Sequence, residues 1–179
     1  LTRQELERVK SVVVAKKPQA VAVCLLHAFR NPRHEQQLGG VLKGLGVPVV
    51  LSSELVPEYR EFERATTTWA NAGLQSVVGP ALNELAIRLG QKWGNQSQLR
   101  VMRSDGGTAD AQAAATQPVH LALSGPAGGL AAARTLADAR GDADILTLDM
   151  GGTSTDVALL GAGELPLQPI NIAGLSLLA

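Results

Sequence analysis

The chain has 179 residues, 45% hydrophobic and 18% charged, which suits one globular domain of ordinary size, or two small ones, and not a disordered segment. Sixteen Lys and Arg balance sixteen Asp and Glu, so the basic excess that a nucleic-acid backbone demands is missing. Five aromatic residues argue against base-stacking platforms; one cysteine excludes an internal disulfide and, with three scattered histidines, a Cys/His zinc site.

Thr2 and Glu5 form a capping-box pattern that predicts a helix running to about Lys17, where Pro18 stops it. Residues 19–29, QAVAVCLLHAF, form an unbroken apolar run, which predicts a strand buried on both faces. Cys24 within it is a small core residue. Residues 31–46 read as a helix capped at Asn31, with Pro32 in its first turn and Gly39, Gly40 and Gly44 weakening it. Residues 48–53 form a second short strand. Residues 57–93 are the longest helical stretch, and Gly79-Pro80 predicts a break or kink. Residues 99–104 read as a strand ended by Asp105-Gly106-Gly107, residues 108–117 as a short helix and residues 119–124 as another strand. A glycine-rich turn then opens a helix over 125–140. Residues 144–150 and 154–160 read as a hairpin around a Gly-Gly turn, and the tail holds one more strand pair. Alternating strands and helices give an α/β fold, and the hairpin makes its sheet mixed, with flanking helices. No apolar run nears the roughly 20 residues that span a bilayer, and no signal peptide is visible. Starting at Leu1 and ending on LSLLA, the chain reads as an internal piece of something longer.

The most informative stretch is Asp149-Met150-Gly151-Gly152-Thr153-Ser154-Thr155-Asp156. A strand delivers a carboxylate, two glycines permit a tight turn with positive φ, and three hydroxyls precede a second carboxylate. Amides in such a turn point together at an anion. Asp149 and Asp156 could hold Mg²⁺ through water while the Gly151, Gly152, Thr153 and Thr155 backbone and hydroxyls hold phosphate oxygens. A plain hairpin with polar turn residues is the alternative. The second candidate is Ser124, Gly125, Gly128 and Gly129, where Ser124 or Gly125 caps a helix whose N-terminus suits an anion; close helix–sheet packing would use the same small residues. Arg103-Ser104-Asp105-Gly106-Gly107 reads as an ordinary strand-end turn. Arg60-Glu61-Phe62-Glu63-Arg64 reads as a solvated helix face, although Thr66, Thr67, Thr68 and Asn71 could present polar groups to a cleft. His27, His34 and His120 have no partners at metal-ligand spacing.

Five stretches, in this order, resemble the hydantoinase/oxoprolinase family, A-subunit type: AVAVCLLHAFRNPRHE, VVLSSELVPEYREFERATTTWANA, VMRSDGGTADAQAA, LALSGPAGGLAAA and LTLDMGGTSTDVALL. The chain departs from the family's usual Gln-Ser-Asn-Gly-Gly at Arg103 to Gly107, which adds a negative charge at Asp105 near the expected phosphate pocket, and from its usual Tyr at Phe62. The resemblance implies an actin-like, ribonuclease-H-like ATPase fold, present here as an incomplete piece. Residues 1–60 would end its first lobe, and residues 61–179 would begin its second with the phosphate-binding turn. It implies ATP and Mg²⁺ as cofactors, a hydantoin- or 5-oxoproline-type cyclic amide as substrate, and a B-type partner subunit or domain. Asp149 and Asp156 would be the catalytic and metal-holding pair, with the Ser124 to Gly129 group closing the nucleotide pocket. The adenosine-binding segment and the first Asp-x-Gly-Gly-Thr turn would lie outside the chain, so the piece alone should be inactive and bind nucleotide weakly. ATP-dependent ketone carboxylases and non-enzymatic actin-like ATPases share the fold, and a purely structural domain is the remaining rival. ATP use and cysteine poverty point to the cytoplasm.

Overall fold

The computed structural model describes residues 1–94, 96–152, 155–161, 170–172 and 174–178. Helix α1 (Arg3–Lys16) starts where its capping box predicts. Thr2 Oγ1 accepts from Glu5 N at 3.3 Å and Glu5 Oε2 accepts from Thr2 N at 2.7 Å. These bonds favour the ionised carboxylate and hold Glu5 below its usual range. The helix ends on Lys17 in the left-handed region (φ 46°).

Strands β1 (Val21–Val23) and β2 (Val49–Leu51) pair in parallel, with helix α2 (Arg33–Leu42) crossing between them. The first strand is much shorter than its apolar run predicts, and Ala22 is exposed. The reason lies in the backbone groups just beyond it. Leu25 N donates to Glu35 Oε1 at 2.8 Å, and Leu25 O accepts from Arg64 Nη2 at 2.9 Å. Side chains satisfy the groups that a neighbouring strand would otherwise take, and the chain turns, with His27 at φ 59°. Val23, Leu38, Leu42 and Leu51 form one core beneath α1. Gly39 is needed there, because a Cβ on it would meet Leu51 Cδ1 at 2.9 Å.

After a single helical turn, α3 (Ser52–Leu55), helix α4 (Glu61–Trp93) runs for 33 residues without a break at Pro80. Its first half reverses the usual pattern. Arg64, Thr67, Thr68 and Asn71, spaced i, i+3, i+4 and i+7, are fully buried, whereas Phe62 and Trp69 are exposed. Of the Arg60–Arg64 stretch expected to be solvated, Arg60 and Phe62 are exposed, whereas Arg64 is buried. A second core of Val50, Leu55, Val56, Ala72, Val119 and Leu177 packs beside this stripe.

Strands β3 (Arg100–Met102) and β4 (Thr108–Asp110) form a hairpin, so the predicted helix over 108–117 shortens to α5 (Ala111–Thr116), capped by Asp110 Oδ1 on Ala113 N at 2.8 Å. The strand expected at 119–124 is a 3-10 turn, Pro118–Leu121. Here again side chains claim the backbone: Val119 N donates to Asn71 Oδ1 at 3.1 Å, and His120 O accepts from Ser104 N and Oγ.

Helix α6 (Ser124–Arg140) lies between two hairpins. Gly106 approaches Ala131 and the Ala127 carbonyl, and Gly128 faces Met102, while the opposite side of α6 packs on strands β5 (Ile145–Met150) and β6 (Thr155–Leu160). Strands β7 (Ile170–Ile172) and β8 (Leu175–Leu177) form the predicted tail pair. Among the described residues the strands make four separate two-stranded sheets, one parallel and three antiparallel, and not one mixed sheet.

Gly39→Ala should destabilise the fold by about 1–3 kcal/mol, since Leu51 is buried and cannot yield freely. Gly40→Ala, in the same helix with nothing within 4 Å of the added Cβ, should gain up to ~1 kcal/mol from helix propensity. Urea denaturation of the two variants separates these outcomes.

Candidate functional site

Antiparallel pairing sets Asp149 directly opposite Asp156, with Thr147 opposite Ala158 and Ile145 opposite Leu160. Directly opposed side chains share a face, and this face turns toward α6. The other face carries Leu146, Leu148, Met150, Val157 and Leu159, all 62–72% exposed. Pro126, Gly129, Leu130 and Ala133 of α6 form the far wall of a hollow of ≈ 530 Å³, with Thr147, Asp149 and Asp156 on the near wall. Both aspartates are exposed. Two carboxylates flanking an open hollow fit Mg²⁺, which keeps several waters and shares its remaining positions with phosphate oxygens. Among the described residues no group of three or more His, Cys, Asp or Glu could hold a metal, so a metal here depends on this pair.

The remaining predicted residues fall into place unevenly. Gly151 and Gly152 are exposed at the turn, and Thr155 is exposed at the start of β6. Gly152 does not adopt the positive φ expected of it, and no described residue lies within 4 Å of its Cβ position. Thr153 lies outside the described residues. Gly129 lines the hollow, whereas Ser124, Gly125 and Gly128 do not. Nor does Ser124 or Gly125 cap α6. The cap is Leu123, in the left-handed region at φ 60° and with no side-chain bond, and Ser124 is the first helical residue.

The turn after β3 builds a second hollow, of ≈ 460 Å³, with the loop before α4. Arg103 Nη2 pairs with Asp105 Oδ2 at 3.2 Å, and Asp105 Oδ1 accepts from Gly107 N at 2.9 Å. The charge that Asp105 adds is therefore paired with Arg103, and it lines this hollow and not the one at Asp149. His120 is half-buried here. Burial first, then the Arg103 charge, lower its pKa, against the opposing pull of Asp105 and of the Leu55 backbone.

Sequence reasoning missed one constellation altogether. Glu35 is fully buried and accepts from Leu25 N, Ser52 Oγ and Ser53 N at 2.7–2.8 Å; Ser52 Oγ in turn accepts from Arg64 Nη1 at 3.2 Å. The threonines and Asn71, which could have faced a cleft, bond the protein's own backbone. Thr67 Oγ1 accepts from Leu178 N at 2.8 Å, and Asn71 spans Thr116 O and Val119 N. The available signal was the helical spacing of four polar residues in α4.

The family model described as hydantoinase/oxoprolinase matches residues 64–176. The chain belongs to the hydantoinase/oxoprolinase family. It is 34% identical over 156 residues to 5-oxoprolinase of Saccharomyces cerevisiae, covering 86% of this chain and 12% of that protein. A solved ATP-dependent caprolactamase from Pseudomonas jessenii matches with a TM-score of 0.71 and 31% identity, over 86% of this chain and 22% of that one. The nucleotide-free structure of an acetone carboxylase, described as carboxylating acetone in an ATP-dependent manner, matches with a TM-score of 0.75 and 27% identity, over 98% of this chain and 25% of that one. The chain thus spans a quarter or less of the length of these family members. No helix among the described residues is long and apolar enough to cross a membrane.

Like charges directly opposed across strands destabilise. Asp149→Asn or Asp156→Asn should therefore raise stability by about 0.2–1 kcal/mol at low salt, and 1 M salt should erase the gain. Thermal melts at both ionic strengths test this. His120 takes up its proton less readily in the fold than in the unfolded chain, so stability should fall as pH drops below about 6.5. His120→Gln should flatten that dependence in denaturation curves taken between pH 5 and 8.

Proposed function

We propose that this chain is part of an ATP-dependent enzyme that opens a cyclic amide of the hydantoin or 5-oxoproline type. The observation that carries the reading is the opposed pair Asp149 and Asp156, facing α6 across an open hollow. The pair holds Mg²⁺, and one of the two orients it or the attacking water. Gly151, Gly152, Thr153 and Thr155 receive phosphate oxygens. Of the residues at the start of α6, Gly129 closes the pocket, and its lack of a side chain leaves room at the wall. ATP supplies the phosphoryl group that makes the ring carbonyl a better electrophile. Phosphoryl transfer is chiefly a matter of positioning and charge stabilisation, and this pair with its turn is suited to both.

The reading places the chain in an actin-like, ribonuclease-H-like fold, with residues 1–60 ending one lobe and residues 61–179 beginning the next. A second Asp-x-Gly-Gly-Thr turn, elsewhere in the full-length protein, completes the phosphate clamp, and a B-type subunit or domain completes the cytoplasmic enzyme. Alone, the chain carries half of the clamp and is inactive. The likeness to acetone carboxylase supports a second reading, in which the same phosphoryl chemistry activates a ketone.

Phosphate release from Mg-ATP by the full-length protein distinguishes the two. Stimulation by 5-oxoproline, hydantoin or ε-caprolactam, reduced about 100-fold or more by Asp149→Ala, is the expected result. Stimulation only by acetone with bicarbonate would move the protein to the carboxylases, and turnover indifferent to both would refute the hydrolase reading.

A further inference from the structure

Helix α6 stands between two hairpins and meets one on each side. On one side Pro126, Gly129, Leu130 and Ala133 wall the hollow at Asp149 and Asp156. On the other, Gly128 faces Met102 of β3, and Ala127 and Ala131 face Gly106 of the β3–β4 turn. Among the described elements the β5–β6 hairpin packs chiefly on α6. The aspartate pair is therefore tied to the rest of the described chain through this helix.

The contacts that seat the helix are close. A Cβ on Gly128 would stand 3.6 Å from Met102 Cγ and Cε, so a methyl group fits there and a longer side chain meets the thioether. The Cβ position of Gly106 lies 3.6 Å from Ala131 Cβ and 3.8 Å from the Ala127 carbonyl oxygen. The hairpin that α6 rests on is itself held. Ser104 N and Oγ donate to His120 O at 2.7 and 3.0 Å, and Val119 N beside it donates to Asn71 of α4. Gly128 and Gly129 are neighbours on one helical backbone, so whatever fixes the first against Met102 fixes the second at the wall of the hollow. We propose that Met102, acting through Gly128, is a positioning residue for the hollow at Asp149: it seats α6 where the helix's other side completes the phosphate site. The inference rests on the proposed phosphate role of that hollow. Phosphoryl transfer depends on placement, and a shift of about 1 Å can cost roughly 100-fold in rate.

Isothermal titration of the full-length protein with Mg²⁺ and the non-hydrolysable analogue AMP-PNP tests the role without turnover, and a thermal melt of each variant shows whether it is folded. Gly128→Leu should weaken the analogue about ten-fold or more. Met102→Ala added to it should restore affinity to within about three-fold of the parent, because the trimmed side chain makes room for the leucine. Ala132→Leu, at an exposed position on the same helix, should leave affinity at the parent value. A merely structural contact would lower the melting temperature and leave affinity alone. If Gly128→Leu misfolds, Met102→Ala by itself decides: it should weaken the analogue several-fold as α6 loses its seat, and parent affinity would overturn the proposal. Parent affinity in a folded Gly128→Leu protein, a loss that Met102→Ala does not relieve, or an equal loss in Ala132→Leu would overturn it too. Analogue binding that Asp149→Asn leaves untouched would instead sink the phosphate reading. The seating would then be judged from crystal structures, in which Gly128→Leu should displace α6 relative to α4 and the double variant should return it; an unmoved helix would end the positioning role as well.

Discussion

The fold hangs on a buried polar stripe along the first half of α4. Arg64 is fully buried but makes no direct pair with the equally buried Glu35. The two are joined through Ser52 Oγ and through opposite ends of the Leu25 backbone. Both Glu35 oxygens and both terminal nitrogens of Arg64 are hydrogen-bonded, each bond contributing about 1.5–3 kcal/mol when one partner is charged, while Arg64 Nε has no partner among the described residues. Removing either partner would strand the other in the interior, a larger loss than the net worth of the pair. The Phe29 ring, 5.8 Å from the Arg64 guanidinium, covers it from outside.

That stripe organises regions far apart in the chain. Arg64 holds the turn after β1, Thr66 and Thr67 hold the backbone of β8 and the residue after it, and Asn71 holds the junction between α5 and the Pro118–Leu121 turn. The last contact positions His120, whose carbonyl anchors Ser104 and so the β3–β4 turn. The same turn presses Gly106 against α6, and the opposite side of α6 walls the hollow at Asp149. The two hollows are therefore linked through one helix, with the polar stripe behind the first and the opposed aspartates at the second.

How much of this could be read from the residues depended on where the backbone partners came from. Local signals worked: the Thr2–Glu5 box, the β5–β6 hairpin and the tail pair are written in neighbouring residues. The strands expected over 19–29 and 119–124 failed because Glu35, Arg64, Asn71 and Ser104, all distant in sequence, took the hydrogen bonds a sheet would have used. Arg64, Thr67, Thr68 and Asn71 stand at core spacing, but polar residues on a helix read as solvated unless their partners are known. The aspartate pair was legible because hairpin register follows from local pattern. The second hollow was not, since Tyr59, Arg103 and His120 meet only in three dimensions. The family was recognisable from five ordered motifs.

On the proposed reading, the opposed aspartates and the first turns of α6 receive the phosphates of ATP. A structure of the full-length protein with Mg²⁺ and a non-hydrolysable ATP analogue tests it most directly. Mg²⁺ should lie within reach of Asp149 or Asp156, and phosphate oxygens against the Gly151-Gly152 turn. Nucleotide bound elsewhere, with this hollow empty, would contradict it.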